Sequence, residues 1–365
     1  MYSPYRNDTV LALHWTDENK LRERVRDLAN KKDSKEISIW WCDLASPFFH
    51  TLQGSILLGH IIKDTPLITQ LRLGRGVLTK EYINSSAFRT LMSIILSSES
   101  NLKHFYALGL NDHGINIVSE YVIHNSCLER VHLASDKGMY VTEEGAESIV
   151  RIMLRTKQLK EFSFQQLYIS NNAAKIISTG LSKCVAKRVC LLGKFRDEGL
   201  CYIIEAMTTN EHAEELWIDE DYKNSGRAYL KLTELLKKNN RLRRIAYNTI
   251  TVLEPTRLCK IPAHMINSWT NIAKNINCSL ERFDIASEYA QQESVKALKK
   301  ELADNAKLKK TMRHVRNDRN LINESTWPNV LAAVSNKPDY VFEILKNDPN
   351  ICRDGNDKKR KREAT

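Results

Sequence analysis

His104, His132 and Cys190 are the side chains of this 365-residue chain whose types could do acid–base or nucleophilic chemistry, or hold a metal, from nearby positions of a repeated pattern. An imidazole beside a thiol can form a nucleophile and base, and imidazoles with a thiol suit zinc. The company such chemistry needs is missing: no carboxylate pair, no His-Glu-x-x-His and no nucleophile motif accompanies them. The eight cysteines, Cys42, Cys127, Cys184, Cys190, Cys201, Cys259, Cys278 and Cys352, stand singly without zinc spacing and are expected as reduced, mostly buried thiols. Gly74-Arg75-Gly76 is too short for a phosphate loop, lacks a following Lys-Ser/Thr, and reads as a turn after a strand. These residues predict a protein that is not an enzyme and uses no metal or cofactor.

Apolar residues make up 42% of the chain and charged residues 27%, the balance of a folded soluble protein. The start, MYSPYRNDTVLALHW, has no signal-peptide core, and no run approaches the ~20 apolar residues of a membrane span, so the expectation is an intracellular protein of cytoplasm or nucleus without membrane association. The net charge of +11 divides into +6 over residues 1–286 and +5 over residues 287–365. Its peaks are KALKKELADNAKLKKTMRHVRNDR and the terminal KKRKR. The first is expected as a helix that docks through Val295, Leu298, Leu302 and Leu308 and turns its lysines to solvent. The second, Lys358, Lys359, Arg360, Lys361 and Arg362, cannot pack into a core and resembles a monopartite nuclear import signal; a solvated tail is the plainer use of the same residues.

What must position His104, His132 and Cys190 is a repeat. The phrase CLERVHLAS at residues 127–135 returns as SLERFDIAS at residues 279–287. Both fit an apolar template Leu-x-x-Leu-x-Leu, and so do segments beginning at Val10, Ile37, Ile68, Leu102, Leu159, Ala186, Ala213 and Leu242. First positions follow one another at steps of 26 to 38 residues, within and beyond the long end of leucine-rich-repeat spacing. Between them lie helical patterns such as DEGLCYIIEAMTTNEH, with its stripe Leu200, Ile203, Ile204 and Met207. Asn125, Asn210, Asn240 and Asn277 follow several of these helices, where an asparagine in the left-handed conformation would end each helix.

LKHFYALGLNDHGINIVSEYVIHNSCLERVHL and AKRVCLLGKFRDEGLCYIIEAMTTNEHAEELWI resemble the ribonuclease-inhibitor type of leucine-rich repeat: a strand, a short loop with Asn111, Gly114 or Gly199 at the helix entrance, and a leucine-rich helix. The resemblance runs over roughly residues 10–287 and implies an α/β fold, a right-handed leucine-rich-repeat solenoid or horseshoe of nine or ten irregular repeats, with strands on the concave side. The segment around Trp327-Pro328 resembles the helical ending of uncharacterised ribonuclease-inhibitor-like proteins of microalgae, and a solenoid needs its open end covered. The expected organisation is therefore a solenoid over 1–287, a helical C-terminal cap over 288–350 and a disordered basic tail over 351–365.

Side chains alternate along a strand, so if first, fourth and sixth template positions face the core, third, fifth and seventh positions face the concave surface. That projection places Trp41, Arg72, His104, Tyr106, Arg130 and His132 in an aromatic and basic area, and Glu161, Arg188, Glu215, Trp217 and Asp219 in a mixed-charge area, with Arg244 continuing the arginine row. Aromatic and arginine anchors dominate protein interfaces, so the expected function is a non-enzymatic interaction module or scaffold that binds a protein partner there. Lateral pairing that simply covers the sheet is the competing use of the same charges. Two alternatives remain: a regulator of a small GTPase, a role of some ribonuclease-inhibitor-like proteins that end in an acidic rather than a basic tail, and nucleic-acid association through the basic tail and the ladder Arg130, Arg188, Arg244 and Arg282. Oligomeric state and partner identity are not encoded in any motif.

Overall fold

The computed structural model describes residues 9–12, 23, 27, 37–41, 50–74, 77–135, 140–220, 226–247, 261–276, 279–285 and 292–317. The chain forms two compact units, one of Met1–Lys260 with Asp284–Ser287 and one of Ile261–Phe283 with Glu288–Thr365. The segment with Trp327-Pro328 and the basic run Lys358 to Arg362 lie outside the described residues.

The first unit alternates strand and helix. Its strands are β1 (Thr9–Ala12), β2 (Ile37–Trp41), β3 (Ile68–Leu73), β4 (His104–Leu110), β5 (Arg130–Ser135), the short β6 (Tyr140–Val141), β7 (Glu161–Ile169), β8 (Arg188–Phe195), β9 (Glu215–Glu220) and β10 (Arg244–Tyr247). Between them run α1 (Leu52–Asp64), α2 (Lys80–Ile83), α3 (Ser86–Ile95), α4 (Asp112–Val122), α5 (Glu143–Arg155), α6 (Asn171–Leu181), α7 (Asp197–Thr209) and α8 (Arg227–Lys238). Strand order follows chain order from β1 to β10, except that β6 pairs only β7, and every registered pair is parallel. Sequential parallel strands, each returned by a helix, make this unit an α/β leucine-rich-repeat solenoid.

The template positions build its core. Ile68, Leu71 and Leu73, then Leu102, Phe105 and Ala107, then Leu128, Val131 and Leu133 are buried, and the same holds for each later triplet through Leu242, Ile245 and Tyr247. Burying a Leu, Ile, Val or Phe side chain contributes about 1.5–3 kcal/mol, so each triplet offsets part of the cost of ordering its own strand, and the helix stripes must supply the rest. Helix stripes supply the opposing layer, with Leu200, Ile203, Ile204 and Met207 all buried.

Asparagine plays a different part from the expected one. Asn210 and Asn239 have extended, not left-handed, backbone. Their buried carboxamides act as clamps instead. Asn210 Nδ2 donates to the carbonyls of Leu181 (2.6 Å) and Cys184 (2.9 Å), while its Oδ1 accepts from the amides of His212 (2.8 Å) and Ala213 (2.7 Å). Asn239 repeats the pattern one repeat later, bonding the carbonyls of Met207 (2.8 Å) and Asn210 (3.1 Å) and the amides of Arg241 (2.8 Å) and Leu242 (3.0 Å). Asn240, the residue singled out from sequence, is exposed beside it, and Asn277 lies outside the described residues.

Helix entrances are also tied across repeats. The residues preceding α5, α7 and α8, namely Thr142, Arg196 and Gly226, supply no side-chain cap. The preceding helix supplies the acceptor: Asn171 Oδ1 takes the amide of Gly199 (3.2 Å), Asp197 Oδ1 that of Ala228 (3.2 Å), and Asp112 Oδ2 that of Thr142 (3.1 Å). The approach is close enough that a Cβ at Gly145 would lie 2.1 Å from Asp112 Oδ1, which is why glycine stands there.

In the second unit α9 (Ala263–Asn275) packs against α10 (Glu293–Asn317). Trp269 is fully buried edge-on to Phe283, 5.2 Å between ring centroids. Val295, Leu298 and Leu302 are buried as the sequence pattern requires, and the side chain of Leu308 lies outside the described residues. The remaining strand, β11 (Arg282–Ile285), has two residues in each unit.

Removing a clamp strands two carbonyls and two amides in a buried bend, and each unsatisfied buried group costs about 1–3 kcal/mol. Asn239→Ala is therefore expected to destabilise the protein by roughly 3 kcal/mol or more, against less than about 0.5 kcal/mol for the exposed neighbour Asn240→Ala. Urea unfolding midpoints of the two variants check this; equal losses would mean that the carboxamide clamp is not what holds the bend.

Candidate functional site

Parallel register in line with the repeats brings equivalent positions side by side on the face of the sheet opposite the helices. From β3 to β10 the third positions pair as Gln70, His104, Arg130, Glu161, Arg188, Glu215 and Arg244, and the fifth as Arg72, Tyr106, His132, Ser163, Cys190, Trp217 and Ala246. This is the alignment the template implies.

β2 departs from it. Ile37 pairs Ile68 but Ser38 pairs Gln70, so Thr69 of β3 is left unopposed as a bulge. Trp40 consequently stands opposite Arg72, and Trp41 opposite the buried Leu73. In register, the fifth-position row therefore contains Trp40 where the template places Trp41. The side chains of Trp40, Trp41 and Asp219 lie outside the described residues.

The third-position charges from β5 to β10 form a continuous chain that ends on Asp284, a fifth position of β11. Arg130 approaches Glu161 at 3.7 Å, and Arg188 Nη1 donates to the same carboxylate at 3.2 Å. Arg188 grips Glu215 with two bonds, Nε at 2.8 Å and Nη2 at 3.1 Å. Arg244 lies 3.9 Å from Glu215 and donates to Asp284 through Nε (3.0 Å) and Nη2 (2.9 Å). Three guanidiniums thus alternate with three carboxylates. Beside this chain, second positions add Glu129 with Lys160 (2.7 Å) and Glu214 with Lys187 (3.4 Å) and Arg243 (3.6 Å). The sequence signal for the second row was the same repeat, read one residue earlier.

Two aromatic groups flank the chain. At one end the Arg72 guanidinium lies 4.9 Å above the Tyr106 ring, whose centroid is 5.7 Å from that of His132. Tyr106 is thereby buried rather than displayed, and the part-exposed His132 is the reachable edge of the group. Burial, then the charge of Arg72, pulls the His132 pKa down to about 4, so the imidazole is neutral at pH 7. At the other end the Arg244 guanidinium covers the part-exposed Trp217 at 4.5 Å.

His132 and Cys190 do not form a nucleophile–base pair. Ser163 stands between them in the fifth row, so they are two strands, roughly 10 Å, apart. Burial, then the nearby Glu161 carboxylate, pushes the Cys190 thiol well above its ordinary range and keeps it protonated. His104 belongs to the third row, beside Arg130. Among the described residues no group of three or more His, Cys, Asp or Glu side chains could hold a metal ion, and no helix is long and apolar enough to cross a membrane.

No protein-family model matches the chain, and no curated protein matches it. Among solved structures, a chain from the complex of Rad7 and Elc1 in yeast is similar, at 11% identity over 68% of this chain and 73% of that one, with a TM-score of 0.35. With a likeness of that depth, the fold rests on this chain's own strand register, triplet core and asparagine clamps.

Glu215 reports on the charge chain. Burial pushes its carboxyl up, but the hydrogen bond and charge of Arg188, with Arg244 further off, outweigh this and hold the pKa below the usual glutamate range. A pKa lowered by folding contributes stability that is present above the unfolded value, about 4.3, and is lost as pH falls through the folded value. Arg188→Gln is expected to raise the Glu215 titration midpoint and to start acid unfolding at a higher pH. Carbon-13 NMR of the side-chain carboxyls measures the first; an unchanged midpoint would show that Arg188 does not govern the row.

Proposed function

We propose that the first unit is a non-enzymatic protein-recognition scaffold of the ribonuclease-inhibitor-like kind, and that it takes its partner on the helix-free face, between the Arg72, Tyr106 and His132 group and the Trp217 and Arg244 pair. The observation that carries this reading is the alternating charge chain bounded by aromatic groups. Each charged side chain in it is held by its neighbours before any partner arrives, so less side-chain entropy is lost on association. Tryptophan, tyrosine and arginine are the residue types over-represented where interface energy concentrates. The chain is also electrically balanced, with Arg130, Arg188 and Arg244 opposed by Glu161, Glu215 and Asp284, which favours a protein of mixed surface charge over a uniformly anionic ligand at this face.

Affinity capture from native lysate at moderate salt tests it, comparing the intact chain with Trp217→Ala and with Leu230→Ser on the helix side, where Leu230 is 60% exposed. The expected result is a protein retained by the intact chain and by Leu230→Ser but lost, by tenfold or more in yield, from Trp217→Ala. Retention unaffected by Trp217→Ala, with loss confined to Leu230→Ser, would move the interface to the helices.

A further inference from the structure

α10 has a buried side and an outward side that differ in a way helix docking does not require. The buried side is set by Val295, Leu298 and Leu302. Asn305 adds bonds from Nδ2 to the carbonyls of Ala273 (3.0 Å) and Leu280 (3.2 Å), and Lys309 Nζ reaches the carbonyl of Ser279 and the carboxylate of Glu281, both at 2.9 Å. All of these partners belong to the second unit.

With about 100° of turn per residue, the middle of the outward side falls near Lys300. Exposed Lys296, Lys299, Lys300, Lys307 and Lys310 then lie within an arc of about 100° on one flank, while Glu293, Glu301 and Asp304 lie on the other. Solubility is served equally well by mixed charges, and helix stability favours an acid with a lysine four residues later. None of the three acids has one, the residues there being Ala297, Asn305 and Leu308; Asp304 has basic neighbours only at Lys300, in the less favourable order, and at Lys307, three residues on. Instead Lys296 faces Lys299 and Lys300, and Lys307 faces Lys310, at three- and four-residue spacings that repel. Glu293 takes up Lys296 at 2.8 Å, but Lys299, Lys300 and Lys310 form no ion pair among the described residues.

We infer that this lysine flank binds the phosphate backbone of a duplex nucleic acid, without reading sequence. The row rises about 21 Å from Lys296 to Lys310, which lies alongside about six phosphates of one strand at roughly 3.4 Å of axis each. A membrane surface fits less well, because an interfacial helix needs a free apolar face and the one on α10 is already buried. An acidic polypeptide lacks the fixed charge spacing of the backbone. The lysine flank belongs to the second unit and the helix-free face to the first, so either proposal can fail without the other.

The test is fluorescence anisotropy of a labelled 20-base-pair duplex DNA with the full-length chain across a series of potassium chloride concentrations. Three proteins are compared: the intact chain, Lys299→Gln/Lys300→Gln/Lys310→Gln, and a variant with Lys358, Lys359, Arg360, Lys361 and Arg362 all changed to Gln. Each lost phosphate contact lowers the slope of log affinity against log salt by about 0.9, so the helix variant should lose about 2.7 while melting at the same temperature. Poly-glutamate and phosphatidylserine vesicles, added as competitors at equal charge, should not displace the duplex from the intact chain. The proposal is overturned if the intact chain does not bind, if the helix variant keeps its slope, if only the tail variant changes, or if either competitor displaces the duplex.

Discussion

A helix that turns back into a strand inside a stack leaves backbone amides and carbonyls in a bend that neighbouring repeats close off from water. Everything else in the first unit depends on satisfying them, because an unpaired buried amide or carbonyl cancels much of what one apolar triplet contributes. Asn210 and Asn239 meet the demand with one carboxamide each, using the oxygen for their own bend and the nitrogen for the bend before it. The same side chain therefore completes one repeat and sets its distance to the previous one. At the other end of the helices, Asn171 and Asp197 cap the next helix in the stack. Apolar burial supplies the driving force between these two polar seams, and the seams supply the spacing.

Once spacing and register are set, the open face follows with little freedom. Parallel strands about 4.8 Å apart bring equivalent side chains of successive repeats into contact, so a row that alternates arginine and glutamate becomes a chain of shared ion pairs. Arg188 illustrates the effect: it bonds carboxylates from both adjacent strands and is held between them. Small residues at Ser163 and Cys190 keep the neighbouring row low, with His132 on one side and Trp217 on the other. The resulting surface is laterally paired, electrically mixed and aromatic at its ends, whereas the outward side of α10 is basic along one flank. The first unit thus presents a balanced surface and the second a basic one.

Much of this was legible in the residues because a repeat averages out local ambiguity. The template located the buried triplets from Ile68 to Ile285 and the alignment of third and fifth positions from β3 to β10. The register of β2 escaped it, since a bulge is a single unopposed residue and Thr69 carries no mark of being one. Asparagine recurring after helices points to a backbone role, whereas the extended conformation and side-chain bonds of Asn210 and Asn239 show a tertiary one. Tyr106 looked exposed from alternation alone; a long arginine on the next strand folded over it.

What the sequence determined by itself is whatever depends on periodicity: the succession of strand and helix, the apolar triplets, the face each strand residue occupies where no bulge intervenes, and the clustering of lysines on one flank of α10. These follow from the two-residue alternation of strands and the 3.6-residue turn of helices, which are properties of the local backbone. Only the tertiary structure decided which charges satisfy one another, which aromatic rings stay reachable, and which polar side chains hold the repeats together. Those outcomes depend on distances between atoms about 30 residues apart, and such distances exist only after the stack has closed.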